Sequence, residues 1–437
     1  MIELNKIKNI HFIGIGGIGI SAIARMFLLE AKIVSGSDQS RSLATDELKK
    51  LGAKIKFTQQ ATNIPKNCQL VIYTKAIADT NPELVEAKKR RLPALTYPQA
   101  LGLVSATKYT VAVAGTHGKT TTTAMLAQIA LEAKLVPTVI VGSFLLNPGK
   151  KTRTNFIAGQ GKLFITEACE YKRSFLDLSP QVVIITNIDA DHLDYYQDLK
   201  AIQKAFAELV AKIPKTGFLI CDPHDLKVKP AIKKAKCQII DYRQESVRNL
   251  KLLIPGVHNL ANAQASLATA KILNIKKSIA ILALNNFQGT WRRFEYKGQT
   301  KKGALVYDDY AHHPTEIRAT ILGARELMNT RKMTGRLIIA FQPHLYSRTK
   351  ALVKDFAQAL ASADLVFVTK IYAAREAFDP KVKESDLVAL ISKRKTASFF
   401  VPDFKQLKSL ILAEAQAGDL VIVMGAGDIG TNLKLKI

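Results

Sequence analysis

The chain has 437 residues, of which 48% are hydrophobic and 23% charged, a composition that is ordinary for a globular protein of about three domains. Its 63 Lys and Arg outnumber its 36 Asp and Glu, and the net charge of +27 favours polyanionic partners: phosphorylated small molecules, an anionic membrane surface or nucleic acid. Because the basic residues are spread along the chain, we expect no nucleic-acid partner. The rival class, which only the charge favours, is a nucleotide-binding regulatory protein or a nucleic-acid-binding protein.

The cysteines and the apolar runs indicate the compartment. Cys68, Cys169, Cys221 and Cys237 show neither a paired metal-ligand spacing nor a disulfide framework, so we expect reduced thiols. The first residues lead directly into a strand and do not resemble a signal peptide. Since no apolar run approaches the ~20 residues needed to span a bilayer, we expect a cytoplasmic protein without membrane insertion.

The first segment, residues 1–106, has the pattern of a dinucleotide-binding fold. A buried strand over 9–13 leads into Gly14-Ile15-Gly16-Gly17-Ile18-Gly19 and a helix over 21–29. A second strand over 32–38 ends at Asp38, nineteen residues after Gly19. This is the full G-x-G-x-x-G fingerprint with its acidic residue, and by itself it suggests NAD. A further strand over 70–74 ends at Thr74.

The second segment, residues 107–291, opens with a phosphate loop. An apolar run ends at Ala114 and is followed by Gly115-Thr116-His117-Gly118-Lys119-Thr120-Thr121 and a helix-compatible sequence. Lys119 can reach the β- and γ-phosphates of a nucleotide, and the Thr120 hydroxyl can hold Mg²⁺. Two residues separate the glycines here, whereas the common pattern has four. The alternative is an ordinary strand-to-helix turn with a surface lysine.

Two further strands of this segment, over 162–167 and 182–187, end in polar side chains. Glu167 closes the first strand, and His192 follows the second in Asp189-Ala190-Asp191-His192. In a parallel sheet these ends meet at the ligand-binding edge, so Thr120, Glu167 and His192 are predicted to converge on Mg²⁺. The alternatives are an exposed acid at a strand end and a capping or core histidine.

The third segment, residues 292–437, again alternates strands and helices. Strands are predicted over 303–307, 337–341, 365–369 and 420–424. We expect the first two to be adjacent and to end in histidine-bearing loops, 308–316 and 341–349. Arg292 and Arg293 lie at the domain joint, where an arginine can neutralise a transferring phosphoryl group or form a structural ion pair. The paired histidines lack a third ligand at zinc spacing.

Taken together, these motifs resemble the Mur ligase family, the ATP-dependent amino-acid ligases of peptidoglycan precursor synthesis. The resemblance covers essentially the whole chain, and the short phosphate loop is itself the family's form. Within the family, residues 11–17, 114–119, 308–314 and 341–344 are similar to the branch that adds L-alanine to UDP-N-acetylmuramate. The resemblance implies an α/β protein of three domains: a Rossmann-like UDP-binding domain, a central P-loop ATPase-type domain with a parallel sheet, and a Rossmann-like C-terminal domain for the amino acid.

The resemblance also implies a role for each candidate residue. Lys119, Glu167, His192 and Arg293 would be catalytic, with Thr120, Glu167 and His192 as metal ligands and ATP and Mg²⁺ as cofactors. The ATP site would comprise Gly115, Thr116, His117, Gly118, Lys119, Thr120, Thr121, His258, Asn259 and Asn262. UDP would be bound, in place of NAD, by Gly14, Gly16, Gly17, Gly19, Asp38 and Thr74. The amino acid would be bound by Tyr310, His312, His344 and Arg348.

The implied reaction uses small-molecule substrates, in a monomer or homodimer. The muramoyl carboxylate attacks the γ-phosphate of ATP, and L-alanine then displaces phosphate from the acyl phosphate. Two positions depart from the family: Ala207 stands where several relatives carry a carboxylated lysine, and Leu345 stands where many alanine-adding enzymes have arginine. The closest rival is the recycling ligase that joins a whole peptide to the same sugar nucleotide.

Overall fold

The computed structural model describes residues 2–146, 153–192, 195–374 and 376–435. The chain forms two compact units. The first contains Met1–Ala190, Asp198–Arg248 and Ala263–Leu284, and the second contains Asp191–Gln197, Asn249–Asn262 and Asn285–Ile437. Within the described ranges, no helix combines the length and the apolarity that crossing a bilayer requires.

The first unit begins with a five-stranded parallel sheet. Its strands are β1 (Asn9–Ile13), β2 (Ile33–Ser37), β3 (Lys54–Lys56), β4 (Leu70–Tyr73) and β5 (Ala94–Thr96). They are arranged in the order β3-β2-β1-β4-β5. The accompanying helices are α1 (Ile18–Leu29), α2 (Leu43–Lys50), α3 (Pro82–Lys89) and α4 (Tyr97–Ala106). Because the strands are parallel, their carboxyl ends lie at one edge of the sheet.

A seven-stranded sheet follows in the same unit. Its strands are β6 (Tyr109–Ala114), β7 (Thr138–Leu146), β8 (Arg153–Ile157), β9 (Leu163–Glu167), β10 (Val182–Ile185), β11 (Phe218–Cys221) and β12 (Gln238–Asp241), in the order β12-β11-β10-β6-β9-β7-β8. β8 runs antiparallel to β7, whereas the other pairs are parallel. The sheet is therefore parallel, as predicted, except for one unpredicted antiparallel edge strand.

The helices around this sheet are α5 (Lys119–Glu132), α6 (Leu199–Ala211), α7 (Lys229–Ile232), α8 (Val257–Ile272) and α9 (Lys277–Asn285). The first residues of α8, up to Asn262, belong to the second unit. Short 3-10 helices occupy Leu4–Lys6, Ala61–Asn63, Tyr171–Asp177 and Tyr242–Gln244.

The second unit contains a six-stranded sheet. Its strands are β13 (Glu295–Gln299), β14 (Leu305–Asp309), β15 (Leu337–Phe341), β16 (Leu365–Val368), β17 (Ala397–Phe400) and β18 (Leu420–Met424). They are arranged in the order β13-β14-β18-β15-β16-β17, and β13 is antiparallel to β14. The helices are α10 (Pro314–Thr330), α11 (Tyr346–Leu360), α12 (Glu384–Ser392), α13 (Phe404–Glu414) and α14 (Ile429–Asn432).

The predicted adjacency of the strands over 303–307 and 337–341 is wrong. β18 lies between β14 and β15, and Leu420 pairs with Leu305 on one side and with Leu337 on the other. β18 reads Leu-Val-Ile-Val-Met and all five residues are buried. An apolar strand of this kind is stabilised by a central place in a parallel sheet, where both faces are covered. The three-domain α/β class is unaffected by this correction.

Candidate functional site

The turn between β6 and α5 has the backbone of a phosphate-binding loop. Gly115 and Gly118 have φ of +130° and +86°, and α5 begins directly afterwards at Lys119. A Cβ on Gly115 would lie 2.0 Å from the hydroxyl oxygen of Thr186, so only glycine fits there. The loop therefore turns tightly and presents the start of a helix, which favours an anion.

Residues after β10 hold this loop from the neighbouring strand. The backbone N–H of Thr116 donates to the Asn187 carbonyl (3.0 Å), and the N–H of His117 donates to the Asn187 side chain (3.0 Å). The His117 ring lies 3.6 Å from the Asp189 carboxylate, which also accepts from the Lys227 ammonium at 2.7 Å. Asp189 and Lys227 were not predicted as site residues.

Lys119 is held inside the loop by four oxygens. Its ammonium donates to the carbonyls of Gly115 (2.5 Å) and Thr116 (2.9 Å). It also forms an ion pair with Glu170, whose two carboxylate oxygens lie 3.0 and 2.9 Å from Nζ. Burial alone would lower the pKa of Lys119, but the Glu170 carboxylate outweighs it and raises the pKa above its ordinary value. The lysine is thus a fixed cation at the point where the sequence predicts phosphate.

Thr120 and Glu167 lie at the same edge of the second sheet. β9 is the direct neighbour of β6, so the carboxyl end that carries Glu167 is next to the phosphate loop. The N–H of Gly142 donates to the Glu167 carboxylate at 2.7 Å, and Thr120 and Thr121 are buried at the start of α5. A hydroxyl and a carboxylate are oxygen donors of the kind that Mg²⁺ takes alongside phosphate oxygens, so these residues fit that ion.

The N-terminal glycine loop is closed by an acidic side chain. Asp38, at the end of β2, accepts from the N–H of Gly16 at 2.7 Å. Gly14 has φ of +76°, and a Cβ there would lie 2.5 Å from Thr74 Cγ2. The structure therefore brings Gly14, Gly16, Asp38 and Thr74 together at the carboxyl edge of the first sheet, where ligands bind in open α/β folds.

The last two glycines of this motif lie at the start of α1. Gly17 precedes the first residue of the helix and Gly19 lies inside it, so the predicted helix start at residue 21 is wrong by three residues. A Cβ on Gly19 would lie 2.6 Å from the Tyr97 ring. Glycine thus allows the first turn of α1 to pack closely against α4, which the apolar pattern alone did not indicate.

In the second unit, Arg348 of α11 forms a buried ion pair with Asp191. The guanidinium donates to the Asp191 carboxylate at 2.9 Å and lies 3.2 Å from the His344 ring nitrogen. The two charged side chains are only 8% and 10% exposed. Burial opposes ionisation of Asp191, but the nearby Arg348 holds the pKa of that carboxyl well below its usual range. Arg348 is therefore a preorganised cation.

The loops after β14 and β15 meet at this arginine although β18 separates their strands. The His312 ring lies 5.7 Å from the His344 ring and 5.4 Å from the Tyr310 ring, and the His344 ring stacks on Tyr372. Burial lowers the pKa of His312 to about 4, and Glu316, 3.2 Å away, opposes this shift. The four residues predicted to bind the amino acid (Tyr310, His312, His344 and Arg348) thus form one cluster.

The two arginines at the domain joint differ in their surroundings. Arg292 is 3% exposed and donates to Asp308 at 3.2 Å, so it is a structural ion pair. Arg293 keeps 29% of its side chain exposed, lies 3.8 Å from Glu316 and sits over the Tyr310 ring at 5.1 Å. Of the two, only Arg293 has a guanidinium partly open to a ligand.

Asp309 fixes the backbone directly after Arg293 and directly before His312. It accepts from the N–H groups of Phe294 and Ala311, both at 2.7 Å. Burial raises the pKa of Asp309 to about 6, and Arg293 opposes this shift. The strand predicted over 303–307 begins and ends two residues later, as β14 (Leu305–Asp309). Its last residue, Asp309, can stay in the strand although it is buried, because these hydrogen bonds pair its carboxylate.

The predicted adenine contacts lie at the start of α8. Asn259 and Asn262 are buried, and the Asn259 amide donates to the Pro255 carbonyl at 2.7 Å. The Asn262 amide is 3.4 Å from Asn259 Oδ1. His258, in the same turn, is exposed. The three residues are together, with His258 the most open to a ligand.

His192 belongs to the second unit, whereas Thr120 and Glu167 belong to the first. Its ring lies 3.9 Å from the Asp191 carboxylate, and its φ is +54°. The convergence of His192 with Thr120 and Glu167 on one metal site stays a prediction.

The two residues that depart from the family pattern lie in a helix and in the packed interior. Ala207 lies in α6, and Leu345 is 2% exposed, so position 345 contributes to packing in this chain. Sequence reasoning also missed Glu170 and Asp191 as partners of Lys119 and Arg348. Both acids stand beside predicted site residues, three positions after Glu167 and one before His192, and that proximity was the available signal.

Comparison with known proteins gives the family. Residues 9–109 match the model of the Mur ligase family catalytic domain, residues 113–250 match the Mur ligase middle domain, and residues 292–427 match the Mur ligase glutamate ligase domain. The chain is 41% identical to a UDP-N-acetylmuramate--L-alanine ligase of Clostridium kluyveri, over 97% of this chain and 96% of that protein.

Solved structures agree with this result. The UDP-N-acetylmuramate-alanine ligase MurC of Thermotoga maritima is 29% identical, with a TM-score of 0.79 over 98% of this chain and 97% of that one. A murein peptide ligase of Psychrobacter arcticus is 24% identical, with a TM-score of 0.70 over 98% of each chain, and shows the shared fold alone. From its three matched segments and its near-complete alignment with curated relatives, the chain belongs to the Mur ligase family.

Proposed function

We propose that this protein joins L-alanine to the carboxylate of UDP-N-acetylmuramate while ATP is converted to ADP and phosphate. The observation that carries the proposal is the 41% identity to the Clostridium kluyveri ligase over 97% of the chain. The cluster of Arg348, His344, His312 and Tyr310 supports it independently, because a buried arginine among aromatic rings suits a small amino acid's carboxylate.

Three domains divide the substrates in this proposal. Residues 1–106 bind the UDP-sugar through Gly14, Gly16, Gly17, Gly19, Asp38 and Thr74. Residues 107–291 bind ATP through the phosphate loop, with His258, Asn259 and Asn262 towards adenine. Residues 292–437 bind the amino acid. The reaction belongs to peptidoglycan precursor synthesis, in the cytoplasm because it consumes ATP, and the protein acts as a monomer or homodimer.

In the first step, an oxygen of the muramoyl carboxylate attacks the γ-phosphorus of ATP. The bond from that phosphorus to the leaving oxygen of ADP breaks, and an acyl phosphate forms. Both reactants are anions, so the main requirements are position and positive charge. Lys119 and Arg293 supply that charge, and the rigid turn at Gly115 fixes the lysine.

Mg²⁺ is part of the proposal. Thr120 and Glu167 would hold one ion and His192 a second, and the ions would neutralise charge on the phosphate oxygens. The support is the chemistry of these donors and the position of Glu167 on the strand beside the phosphate loop.

In the second step, the amine of L-alanine attacks the acyl carbon. A tetrahedral intermediate forms, and phosphate leaves from it. Arg348 and His344 orient the amino acid by its carboxylate, and the Arg348 fork suits two parallel hydrogen bonds. Because a pocket distinguishes one methylene by only ~1–3 kcal/mol, we expect L-alanine to be preferred and L-serine and glycine to be used less well.

The test is phosphate release from ATP with UDP-N-acetylmuramate and one acceptor at a time. We expect the highest kcat/KM with L-alanine, lower values with L-serine and glycine, and little release with a tripeptide that begins with L-alanine. Preference for the tripeptide would instead favour the peptide-adding ligase, whose fold this chain shares. Release that does not depend on the sugar nucleotide would contradict both.

A further inference from the structure

The ammonium of Lys119 already has a complete set of partners within the protein. A lysine has three N–H donors. The carbonyls of Gly115 and Thr116 each accept one, at 2.5 and 2.9 Å, and the Glu170 carboxylate lies 3.0 and 2.9 Å away. A phosphate oxygen can therefore bind this ammonium only if one of these partners gives way.

Glu170 is fixed in place by the chain on either side of it. It follows β9 after two residues and is 2% exposed. Its carbonyl accepts from the N–H of Arg173 at 2.9 Å, and the turn contains left-handed φ values at Lys172 (+49°) and Arg173 (+57°). Two consecutive left-handed residues that are not glycine are costly, so the surrounding structure determines this turn. The carboxylate faces the phosphate loop because the turn directs it there.

Of the three partners, the carboxylate is the one that a nucleotide displaces. The two carbonyls belong to the loop that itself wraps around a phosphate, so they stay beside the lysine when a nucleotide binds. The carboxylate is an anion in the position that a phosphate oxygen needs, and two anions sharing one cation repel each other strongly where water is excluded.

We propose that, in the enzyme without nucleotide, the Glu170 carboxylate binds the Lys119 ammonium that would otherwise bind phosphate, and thereby sets the affinity for nucleotide. ATP displaces the carboxylate, and after the reaction the carboxylate returns to Lys119 and assists the release of ADP and phosphate. This inference rests on the proposed role of Lys119 in binding the phosphates of ATP. Glu170 is a positioning residue here, because it acts on the nucleotide through Lys119.

The test is the dissociation constant of ATP for the full chain, measured by calorimetry in EDTA so that metal binding does not contribute. We expect Glu170→Gln, which keeps the shape and removes the charge, to bind ATP about tenfold more tightly. In steady-state assays, ADP should inhibit Glu170→Gln more strongly, and its kcat should fall together with the KM for ATP. The matched control is Glu208→Gln, a half-exposed carboxylate paired with Arg173, which should leave the ATP affinity unchanged.

Lys119→Ala and the double variant separate the possible failures. If Lys119→Ala weakens ATP binding and the gain from Glu170→Gln disappears in the double variant, the coupling is through this lysine. If Lys119→Ala weakens binding but Glu170→Gln leaves it unchanged or weaker, the inference about Glu170 is wrong and the role of Lys119 stands. If Lys119→Ala leaves ATP affinity intact, the phosphate-loop assignment itself fails. Binding of UDP-N-acetylmuramate to every variant checks that each one is folded.

Discussion

At the scale of single residues, the proposed binding of the amino acid depends most on Arg348. We predict that Arg348→Ala raises the KM for L-alanine roughly ten- to hundredfold, because a charge-assisted hydrogen bond to a carboxylate is lost. The KM for ATP should change little. Arg348→Lys keeps the charge but not the planar fork, so its KM for L-alanine should lie between those of the wild type and Arg348→Ala.

Steady-state kinetics with each substrate varied in turn checks this prediction. Arg325→Ala is the control, because Arg325 forms a similar ion pair with Asp364 on the surface, at 2.9 Å. A KM for alanine that stays constant while the KM for ATP rises would move Arg348 to the nucleotide site.

His312 gives a prediction about stability and pH. Its pKa is lowered by burial to about 4, whereas an unfolded chain has its ordinary value near 6.5. As the pH falls from 6.5 to 4, the unfolded state takes up this proton first, so the folded state loses stability. His312→Gln lacks this titration. The free energy of unfolding of the wild type, relative to the variant, should therefore fall by up to about 3 kcal/mol across that range.

Urea unfolding at pH 7, 5.5 and 4 measures this difference. His224→Gln is the matched control, since the His224 side chain is 78% exposed. A difference between wild type and His312→Gln that is the same at every pH would show that His312 does not titrate as its burial requires.

At the scale of elements, the phosphate loop depends on the backbone of Gly115. We predict that Gly115→Ala abolishes ATP binding and lowers the melting temperature, because the new Cβ would lie 2.0 Å from the Thr186 hydroxyl as well as requiring φ of +130°. Gly52 has φ of +100° with no heavy atom within 4 Å of its Cβ position. Gly52→Ala should therefore cost only about 1 kcal/mol and leave ATP binding intact.

Calorimetric titration with ATP and thermal unfolding of both variants check this prediction. Equal losses of stability in the two variants would mean that the left-handed backbone, and not the close approach to Thr186, makes glycine necessary at position 115.

The elements that could be predicted from the sequence are those with one dominant physical cause. β15 and β18 have the bounds that their apolar runs predict, because a strand buried on both faces needs apolar side chains throughout. β13 was missed because Glu-Tyr-Lys-Gly-Gln is a polar edge strand with no apolar period. The order of the strands could not be predicted either, because the local sequence of β18 does not indicate that it lies between β14 and β15.

The site shows the same division. The positions of Gly115 and Lys119 could be predicted because one short motif contains the whole loop, and that of Glu167 because it ends a parallel strand of the same sheet. The partners Glu170 and Asp191 could not, because pairing an acid with a particular cation depends on which turns meet in space. The residues alone did not distinguish Arg292 from Arg293, and Arg293 was named from the family resemblance; the structure adds that Arg292 is the buried one.

At the scale of the whole molecule, the charge of +27 should favour the sugar nucleotide. A positive surface attracts an anionic substrate at long range, and salt screens this attraction. We predict that the KM for UDP-N-acetylmuramate rises steadily between 20 and 300 mM KCl, a range over which the Debye length shortens roughly fourfold. The KM for L-alanine, a zwitterion without net charge, should change little.

Both KM values measured in one salt series test this prediction, with DNA binding measured alongside. Equal salt dependence for the two substrates would assign the basic surface a different role. Tight, salt-sensitive DNA binding would give renewed weight to the nucleic-acid alternative.

The central place of β18 determines when, during synthesis of the chain, the third sheet can be completed. β13 and β14 form one half of the third sheet and β15, β16 and β17 the other, and β18 joins them. Roughly 80 residues separate β15 from β18 along the chain, which a ribosome needs several seconds to translate at about 5–20 residues per second. During those seconds two strand edges stay unpaired in the nascent chain, and such edges invite pairing with other chains. The cluster around Arg348 is therefore assembled late, and synthesis that stops before residue 420 leaves an aggregation-prone intermediate.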